Sequence, residues 1–181
     1  MLYSQVMQST PVGPLSIVAS DRAITQVSFG LSQSPIGVGN TVTAQAVHEL
    51  SEYFSGIRQQ FQVPLAPQGT AFQQQVWAAL LQIPYGKTCT YSDLAAKIGR
   101  PRAMRAVGMA NHCNPLPIFI PCHRVIGKNG SLTGYAGGLA SKRILLELEH
   151  THLTGAPFPQ RESQITPLRF HHIPRGVIGC Y

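Results

Sequence analysis

The stretch from residue 118 to residue 125 has the sequence Ile-Phe-Ile-Pro-Cys-His-Arg-Val, so a cysteine and a histidine stand together at the end of an apolar run. A free thiol has a pKa of about 8.5, and a neighbouring imidazole raises the small fraction that is thiolate at neutral pH. On its own, however, a Cys-His pair favours a buried and unreactive cysteine. Cys122 is therefore a candidate nucleophile whose assignment depends on the rest of the chain.

The composition describes a basic protein with few charged residues. Its 181 residues include 14 Lys and Arg against 7 Asp and Glu, which gives a net charge of +7, while charged residues make up only 12% of the chain. This balance predicts a positive face and a polyanionic partner, although a basic protein without such a partner has the same composition. The length suits one medium domain or two small ones.

Hydropathy and cysteine spacing exclude several classes of protein. No segment has the roughly 18 continuous apolar residues of a membrane span, and residues 1–5 lack the cationic start of a secretory signal. We therefore expect a cytoplasmic protein that makes no membrane contact. The four cysteines, at positions 89, 113, 122 and 180, have the spacing of neither a zinc site nor a disulfide framework. No metal or cofactor is expected.

Residues 1–66 predict a small mixed α/β unit. Leu15–Ala19 and Ile24–Phe29 have partly alternating apolar residues and a short turn between them, which is typical of a β-hairpin. Residues 32–40 are rich in Gly, Ser and Pro and predict a loop. Residues 42–55 have apolar side chains at helical spacing and predict a helix that ends before Gly56.

A linker is predicted at residues 64–69, and it leads into a second, mostly helical unit that is predicted at residues 67–150. Thr70 and Gln73 have the spacing of a capping box at the start of a helix. Two shorter helices are predicted at residues 92–98 and from Pro101 to about residue 112. Such a pair has the form of a helix-turn-helix, which also occurs in proteins that never bind nucleic acid. Together with the net charge, it favours DNA binding.

A set of short motifs recurs here in the order and spacing of one protein family. The motifs are Pro84-Tyr85-Gly86, Thr90-Tyr91, Arg105-Ala106-Val107-Gly108, Asn114-Pro115, Ile120-Pro121-Cys122-His123-Arg124-Val125-Ile126, Thr133-Gly134-Tyr135-Ala136-Gly137-Gly138 and, after these, a predicted helix that ends in Glu149-His150. On these motifs, the region from about residue 70 to residue 150 resembles the O6-alkylguanine-DNA alkyltransferase family, also called methylated-DNA–protein-cysteine methyltransferases. The N-terminal unit fits the family more loosely.

The resemblance implies an α/β (α+β) fold with two domains. The N-terminal domain, residues 1–66, would have a ribonuclease-H-like small antiparallel sheet with a helix. The C-terminal domain, residues 67–150, would be mostly helical and winged-helix-like, with the helix-turn-helix and the reactive loop. Residues 151–181 would form an extension of unknown role that contains Pro and His. A partly disordered segment that packs on the outside is expected there. The alternative is a metal site made of His152, His171, His172 and Cys180, although these residues lack the spacing of metal ligands.

The implied reaction is direct reversal of DNA damage. The alkyl group, for example methyl, would move from O6 of guanine in DNA to the Cys122 thiolate, and the thioether product would use up the protein in one turnover. His123 would act as the base through a water, and Glu149 would orient and charge the pair, as in catalytic triads. The alternative for Glu149 is an ordinary solvated residue at the C-terminal end of a helix.

Further residues receive roles from the same resemblance. Asn114 would brace the turn around the nucleophile, although Asn before Pro is also a common turn former. Tyr91 would crowd the 3′ phosphate of the target nucleotide and donate a hydrogen bond to the leaving base. The backbone carbonyls of Cys122 and Val125 would read the exocyclic amine of the guanine. The predicted base pocket consists of Val125, Tyr135, Ala136, Gly137 and Gly138. The two glycines are also compatible with a flexible turn.

DNA binding is implied at the second helix of the pair. The target nucleotide would rotate out of the duplex, and Arg105 would fill its place from the minor groove. Ala103, Ala106 and Gly108 would let this helix approach the backbone closely; they are also compatible with tight packing against the first helix, and the two roles do not exclude each other. Arg102 and Arg124 are expected as further DNA contacts. The partner is double-stranded DNA with O6-alkylguanine, bound by a monomer that needs no protein partner.

Two other functions remain open at this point. A non-catalytic relative that only binds alkylated DNA would replace the nucleophile, whereas this chain retains Cys122, His123 and Glu149. A Cys-His hydrolase or a DNA-binding regulator on a different fold is the second alternative. A hydrolase would turn over many substrate molecules, so the stoichiometry of the reaction separates it from a one-use transferase.

Overall fold

The computed structural model describes residues 1–31 and 38–159. The chain begins with a three-stranded antiparallel sheet in the order β1-β2-β3, made of β1 (Tyr3–Met7), β2 (Leu15–Ala19) and β3 (Ile24–Phe29). The predicted hairpin of β2 and β3 is confirmed, but β1 was missed. All five β1 residues are half-buried on the edge of the sheet, so the strand lacks the alternation that identifies strands in a sequence.

Helix α1 (Thr41–Phe54) covers this sheet. It begins with a capping box, because the Asn40 side chain accepts a hydrogen bond from the Thr43 N–H and the Thr43 hydroxyl accepts one from the Asn40 N–H. The helix predicted at residues 42–55 is therefore confirmed to within one residue. Of the predicted loop at residues 32–40, residues 32–37 lie outside the described residues.

Between residues 71 and 159, the described part of the second half contains four α-helices and two very short strands. They are α2 (Ala71–Leu80), β4 (Cys89–Thr90), α3 (Tyr91–Lys97), α4 (Met104–His112), β5 (Val125–Ile126) and α5 (Gly138–Thr154). The capping box of Thr70 and Gln73 is present at the start of α2. Trp77 is buried on α2, and its indole N–H donates to the Ala110 carbonyl at 2.9 Å, which fixes α2 against α4.

The predicted helix pair is present as α3 and α4, but the start of α4 was wrong. Pro101 is not the first residue of the helix, which begins three residues later at Met104. Pro101 and Arg102 lie in a turn that is closed by a hydrogen bond from the Ala103 N–H to the Arg100 carbonyl at 2.9 Å. The fixed φ of proline therefore serves this turn and not the first turn of the helix.

The two halves share one hydrophobic core, in which residues of the sheet, α1, α2 and α4 pack together. Three backbone hydrogen bonds join β3 to later parts of the chain, one of them from the Ala66 N–H to the Ile24 carbonyl at 2.8 Å. The Ile24 N–H donates to the Pro64 carbonyl at 2.9 Å, and the Val27 N–H donates to the Pro115 carbonyl at 2.8 Å. The mixed α/β fold with a small antiparallel sheet and a mostly helical second half is confirmed.

Helix α5 is longer than predicted. It continues past Glu149 to Thr154 and ends at Gly155, which has a left-handed φ of +69°. Glu149 therefore lies more than one turn inside the helix and not at its end. Beyond the helix, Phe158 is buried in a small cluster with Ile126. His171, His172 and Cys180 of the expected extension lie outside the described residues. Of the helices in the two described ranges, none is long and apolar enough to cross a bilayer.

Candidate active site

Cys122 opens a single turn of 3₁₀ helix, Cys122–Arg124, at the end of a buried apolar loop. Ile118 in this loop has a φ of +75°, a conformation that β-branched residues rarely adopt. The Asn114 side chain holds both ends of the loop, because its amide N–H donates to the Ile120 carbonyl at 2.9 Å and its oxygen accepts from the Leu116 N–H at 3.0 Å. The bracing contact expected of Asn114 is thus present in the structure.

The environment of Cys122 makes its thiol a weak acid. Its side chain is 2% exposed. Burial raises the pKa of the thiol to about 11, although the Asn114 side chain, the Lys142 charge and nearby backbone N–H groups oppose this increase. At neutral pH the resting thiol is therefore protonated, and the presence of an imidazole next to it is not enough to make it a thiolate. A base must remove the proton during the reaction.

His123 has the geometry of such a base. Its Nε2 lies 2.8 Å from Oε1 of Glu149, and both side chains are fully buried. Burial lowers the pKa of His123 below its usual value, although Glu149 opposes this change. In the neutral ring, Nε2–H donates to the carboxylate and Nδ1 has a free lone pair. Among the described residues Nδ1 has no hydrogen-bond partner, so it is available to accept a proton.

Glu149 receives hydrogen bonds from four different groups. Besides His123, the donors are the Tyr53 hydroxyl at 2.7 Å, the Arg124 guanidinium and the backbone N–H of Gly86 at 3.0 Å. Burial acts to raise the pKa of Glu149, but His123 and Arg124 outweigh it and hold the pKa well below its usual range. Glu149 is therefore a buried, ionised carboxylate, and the alternative of a solvated residue at a helix end is wrong.

The expectation that Arg124 contacts DNA is corrected by the structure. Its side chain is buried, with Nε 2.9 Å from Oε2 of Glu149, Nη2 2.8 Å from Oε1, and Nη1 donating to the Ile83 carbonyl at 2.6 Å. The 3₁₀ turn directs the guanidinium inward, where it compensates a carboxylate that would otherwise be buried without a partner cation. Arg124 acts on Glu149 and not on a surface ligand.

Lys142 is a buried site residue that the sequence analysis missed. Its side chain is fully buried on α5, and its Nζ donates to the carbonyls of Val125 at 2.6 Å and Thr133 at 2.8 Å. Burial lowers the pKa of Lys142 to about 8. A sequence signal existed, because Lys142 lies three and seven residues before Leu145 and Glu149, on the buried stripe of the helix.

The backbone carbonyls of Cys122 and Val125, which are expected to accept a hydrogen bond from the guanine amine, already accept hydrogen bonds from protein side chains. Val125 accepts from Lys142, and the Cys122 carbonyl accepts from the Asn111 side-chain amide at 3.4 Å. A carbonyl oxygen has two lone pairs, so each retains capacity for a second donor. Asn111 is a second residue that the sequence analysis missed, and it lies on the buried face of α4.

The residues predicted for the base pocket lie around Tyr135. Its ring is buried and packs edge to face against His123, with ring centroids 6.4 Å apart. Its hydroxyl has no hydrogen-bond partner within the described part of the chain. A Cβ atom on Gly137 would lie 2.6 Å from the Phe29 ring, so this glycine allows close packing. Gly138 has a φ of +82°, and Ala136 is exposed between Tyr135 and these glycines.

Tyr91 links this loop to the helix pair. It is the first residue of α3, is half-buried, and its hydroxyl donates to the Thr133 carbonyl at 3.2 Å. The same carbonyl accepts from Lys142. Burial raises the pKa of Tyr91, so its hydroxyl remains a donor at neutral pH.

Five of the residues predicted to contact DNA lie on α4 or in the turn before it. Arg102, Arg105 and Ala106 are exposed, and Ala103 and Gly108 are half-buried. A Cβ atom on Gly108 would lie 3.8 Å from the Tyr91 ring, an ordinary contact, so packing against α3 does not require a glycine there. Packing against α3 and close approach to DNA both remain open for Ala103 and Ala106.

Comparison with protein families assigns both halves of the chain. Residues 1–67 match the ribonuclease-like domain of 6-O-methylguanine DNA methyltransferase, and residues 71–151 match the DNA binding domain of the same family. The chain belongs to the 6-O-methylguanine DNA methyltransferase family. The resemblance drawn from the motifs is thereby confirmed. The positions of the domain boundaries, and residues 151–181 as a separate extension, remain predictions.

Curated members of this methyltransferase family cover most of the chain. A methylated-DNA–protein-cysteine methyltransferase of Methanosarcina barkeri is 44% identical over 158 residues, which are 84% of this chain and 99% of the relative. The constitutive methylated-DNA–protein-cysteine methyltransferase of Bacillus subtilis is 47% identical over 151 residues, or 77% of this chain and 91% of the relative.

A solved structure of the family has the same fold. Mycobacterium tuberculosis OGT in complex with DNA matches with a TM-score of 0.76 and 44% sequence identity, over 83% of this chain and 94% of that chain. The fold of this methyltransferase therefore agrees with the structure of a relative crystallised with DNA.

Proposed function

We propose that this member of the 6-O-methylguanine DNA methyltransferase family repairs DNA by moving the alkyl group from O6 of guanine to the sulfur of Cys122. The observation that carries the proposal is the buried array of Cys122, His123 and Glu149, in which the carboxylate fixes the neutral imidazole and leaves its Nδ1 free. The names of the curated relatives support the same reaction. A thioether is not readily hydrolysed, so each molecule acts once.

The transfer is a displacement at the alkyl carbon. The sulfur of Cys122 forms a bond to that carbon as the bond from the carbon to O6 breaks, and the electron pair of the broken bond stays with the guanine. The thiol proton passes through a water molecule to Nδ1 of His123, because the raised pKa of the thiol requires a base. The ionised Glu149 stabilises the imidazolium that forms.

The leaving guanine gathers negative charge that the pocket must stabilise. The Tyr91 hydroxyl, which donates to the Thr133 carbonyl in this structure, turns to donate to the base. The imidazolium of His123 then returns the proton to the guanine, so the charge and the proton count are both restored. Val125 and the loop with Tyr135, Ala136, Gly137 and Gly138 enclose the base.

DNA is the partner, and access to the lesion requires the nucleotide to leave the base stack. Rotating it out costs a few kcal/mol. Arg105, exposed on α4, fills the vacated place from the minor groove, and Arg102 binds the backbone beside it. Ala103, Ala106 and Gly108 allow α4 to approach the backbone closely. Binding from the minor groove does not depend on reading the base edges of the surrounding sequence, and this suits damage that occurs in any sequence.

The protein works as a monomer without an obligate protein partner, since the catalytic array is complete within one chain. Because its substrate is DNA, the reaction takes place where DNA lies, which in a prokaryotic cell is the nucleoid in the cytoplasm.

The decisive experiment is a titration with duplex DNA that carries O6-methylguanine with a labelled methyl group. We expect one label per protein molecule, located on Cys122 by peptide mass spectrometry. Cys122→Ser should abolish the transfer and retain DNA binding. More than one turnover per molecule would indicate a hydrolase, and DNA binding without any transfer by the wild type would indicate a protein that only recognises the lesion.

A further inference from the structure

The N-terminal domain supplies a hydrogen-bond donor to the catalytic carboxylate. Tyr53 lies near the end of α1, is fully buried, and its hydroxyl donates to Oε1 of Glu149 at 2.7 Å across a separation of 96 residues. We infer that Tyr53 is a positioning residue for alkyl transfer, one that acts through Glu149 on His123. The inference rests on the proposed function, because it assigns a role within that reaction.

The carboxylate oxygen that Tyr53 contacts is the one that matters for the base. Oε1 of Glu149 accepts from Tyr53, from Nε2 of His123 at 2.8 Å and from Nη2 of Arg124 at 2.8 Å, while Oε2 accepts from Gly86 and Nε of Arg124. A carboxylate held by donors on both oxygens cannot rotate without breaking several of these bonds. The Tyr53 hydroxyl therefore helps to fix the oxygen that orients the imidazole.

Tyr53 is itself held rigidly in place. Its ring packs against the rings of Phe54, Phe61 and Tyr85, with centroids 5.5, 5.4 and 5.9 Å away. Burial and the nearby charge of Glu149 raise the pKa of Tyr53 well above its usual value. The hydroxyl thus stays protonated and remains a donor throughout the pH range in which His123 titrates.

Two other contacts join the N-terminal domain to the nucleophile turn and to the base pocket. The Val27 N–H donates to the Pro115 carbonyl, next to Asn114, and the Phe29 ring packs edge to face on Tyr135 at 5.6 Å between centroids. These contacts support the nucleophile turn and the base pocket through packing and backbone pairing. Tyr53 differs from them, because it donates directly to a group that stabilises charge during the reaction.

The expected effect on His123 has a definite sign. The Tyr53 hydrogen bond disperses part of the negative charge of Glu149, so its loss leaves more charge facing the imidazole and stabilises the protonated ring. The pKa of His123 should therefore rise in Tyr53→Phe. The other titratable and charged groups around this pair are unchanged by the substitution; they are Arg124, Lys142, Cys122, Tyr85 and Tyr135.

The test compares single-turnover rates of methyl transfer from duplex DNA for the wild-type full chain, Tyr53→Phe and Tyr3→Phe. Tyr3→Phe is the matched control, because it removes another tyrosine hydroxyl of the same domain, one that donates to Asp21 at the surface. We expect Tyr53→Phe to slow the transfer by about three- to tenfold, in line with the loss of one ordinary hydrogen bond, and the control to leave it unchanged. The acidic limb of the pH–rate profile should also move to higher pH.

Two measurements separate positioning from a general loss of stability. Rates are compared at a temperature at which circular dichroism shows all variants folded, and the titration of His123 is followed directly by NMR. In a His123→Gln background, Tyr53→Phe should cause no further slowing, because it acts through His123. A Tyr53→Phe protein with the wild-type rate and pH profile, or equal slowing in both backgrounds, would overturn the inference. If the wild type transfers no methyl group at all, the proposed function fails instead.

Discussion

Helices α4 and α5 both carry charged residues that belong to the predicted site, but they place them in opposite environments. On α4, Arg105 is exposed and is free to contact a partner. On α5, Lys142 and Glu149 are fully buried and occupy the stripe that would ordinarily be apolar. An exposed charge costs the fold little, whereas a buried one must be compensated by partners. The comparison separates a helix that we propose for DNA binding from one that we propose for chemistry.

The buried charges of α5 should be the most sensitive positions in the molecule. Glu149→Gln removes the charge that compensates Arg124 and stabilises protonated His123. We expect it to lower the free energy of unfolding by about 3–5 kcal/mol, since the guanidinium remains buried without its partner. The rate of methyl transfer should fall by about 100-fold or more, because the base loses its support. Urea unfolding and single-turnover kinetics measure the two effects.

The half-buried Glu147 on the same helix provides the control for this prediction. Glu147→Gln also removes one negative charge from α5, but it should change stability by no more than about 0.5 kcal/mol and leave the rate unaltered. If Glu149→Gln transferred methyl groups within twofold of the wild type, the buried carboxylate would have no part in the reaction.

A change on α4 should instead affect only the encounter with DNA. Arg105→Ala should slow transfer from duplex DNA by about tenfold or more, because the place of the rotated nucleotide is no longer filled and rotation becomes less favourable. Transfer from a free O6-alkylguanine base should continue at the wild-type rate, since no rotation is needed. The melting temperature should not change. Arg22→Ala, which alters an exposed arginine of the N-terminal domain, is the control.

Equal slowing with duplex DNA and with the free base would contradict this role of Arg105. It would show that the residue acts on the pocket and that the separation between α4 and α5 does not hold.

Sequence patterns predicted the site best where the chemistry is local. Cys122 and His123 are adjacent, and Asn114 lies only eight positions before the cysteine in the same loop. The structure places these residues in one loop and the turn that follows it, while their roles in the reaction stay predictions. Glu149 was also found, because the family motif marks it, although its burial was not expected.

The errors came from contacts that adjacency in sequence does not reveal. Arg124 follows His123 directly, but the 3₁₀ turn directs it inward to Glu149. Tyr53 meets the same carboxylate from 96 residues away, so no local pattern indicates it. A lysine on a helix is usually solvated, and only its position on the apolar stripe of α5 distinguished Lys142. Side-chain direction and long-range contacts are therefore what the structure adds.

The buried amino group of α5 should make stability depend on pH. The folded-state pKa of Lys142 is about 8, and the unfolded value is about 10.4. Between these values the unfolded chain binds more protons, so this group makes the free energy of unfolding rise as pH increases from about 8 to 10. Lys142→Met lacks this amino group. Over that pH range, the free energy of unfolding of the wild type should therefore rise by about 1–3 kcal/mol relative to that of Lys142→Met.

This difference between the two proteins isolates Lys142 from the buried thiols. Burial raises the pKa of Cys89 to about 12 and of Cys122 to about 11, and both thiols act in the opposite direction, because the unfolded chain releases their protons first. Urea unfolding at pH 7.5 and pH 9.5 is sufficient, since these values lie on either side of the folded-state pKa of about 8. A pH-independent difference would mean that the buried amino group keeps the pKa it has in the unfolded chain and stays charged at both pH values.

The smallest effect is expected at Gly108, where stability and DNA affinity should change in opposite directions. Gly108→Ala adds a methyl group that would lie 3.8 Å from the Tyr91 ring, and alanine favours a helix over glycine by about 0.5–1 kcal/mol. The free energy of unfolding should therefore increase slightly.

If α4 needs a glycine to approach the DNA backbone, the same methyl group should weaken DNA binding several-fold, as measured by fluorescence anisotropy in the Cys122→Ser background. Gly137→Ala gives the contrasting case, because its methyl group would lie 2.6 Å from the Phe29 ring and should destabilise the fold. A gain in stability at Gly108 with unchanged DNA affinity would remove this glycine from the DNA-binding face of α4.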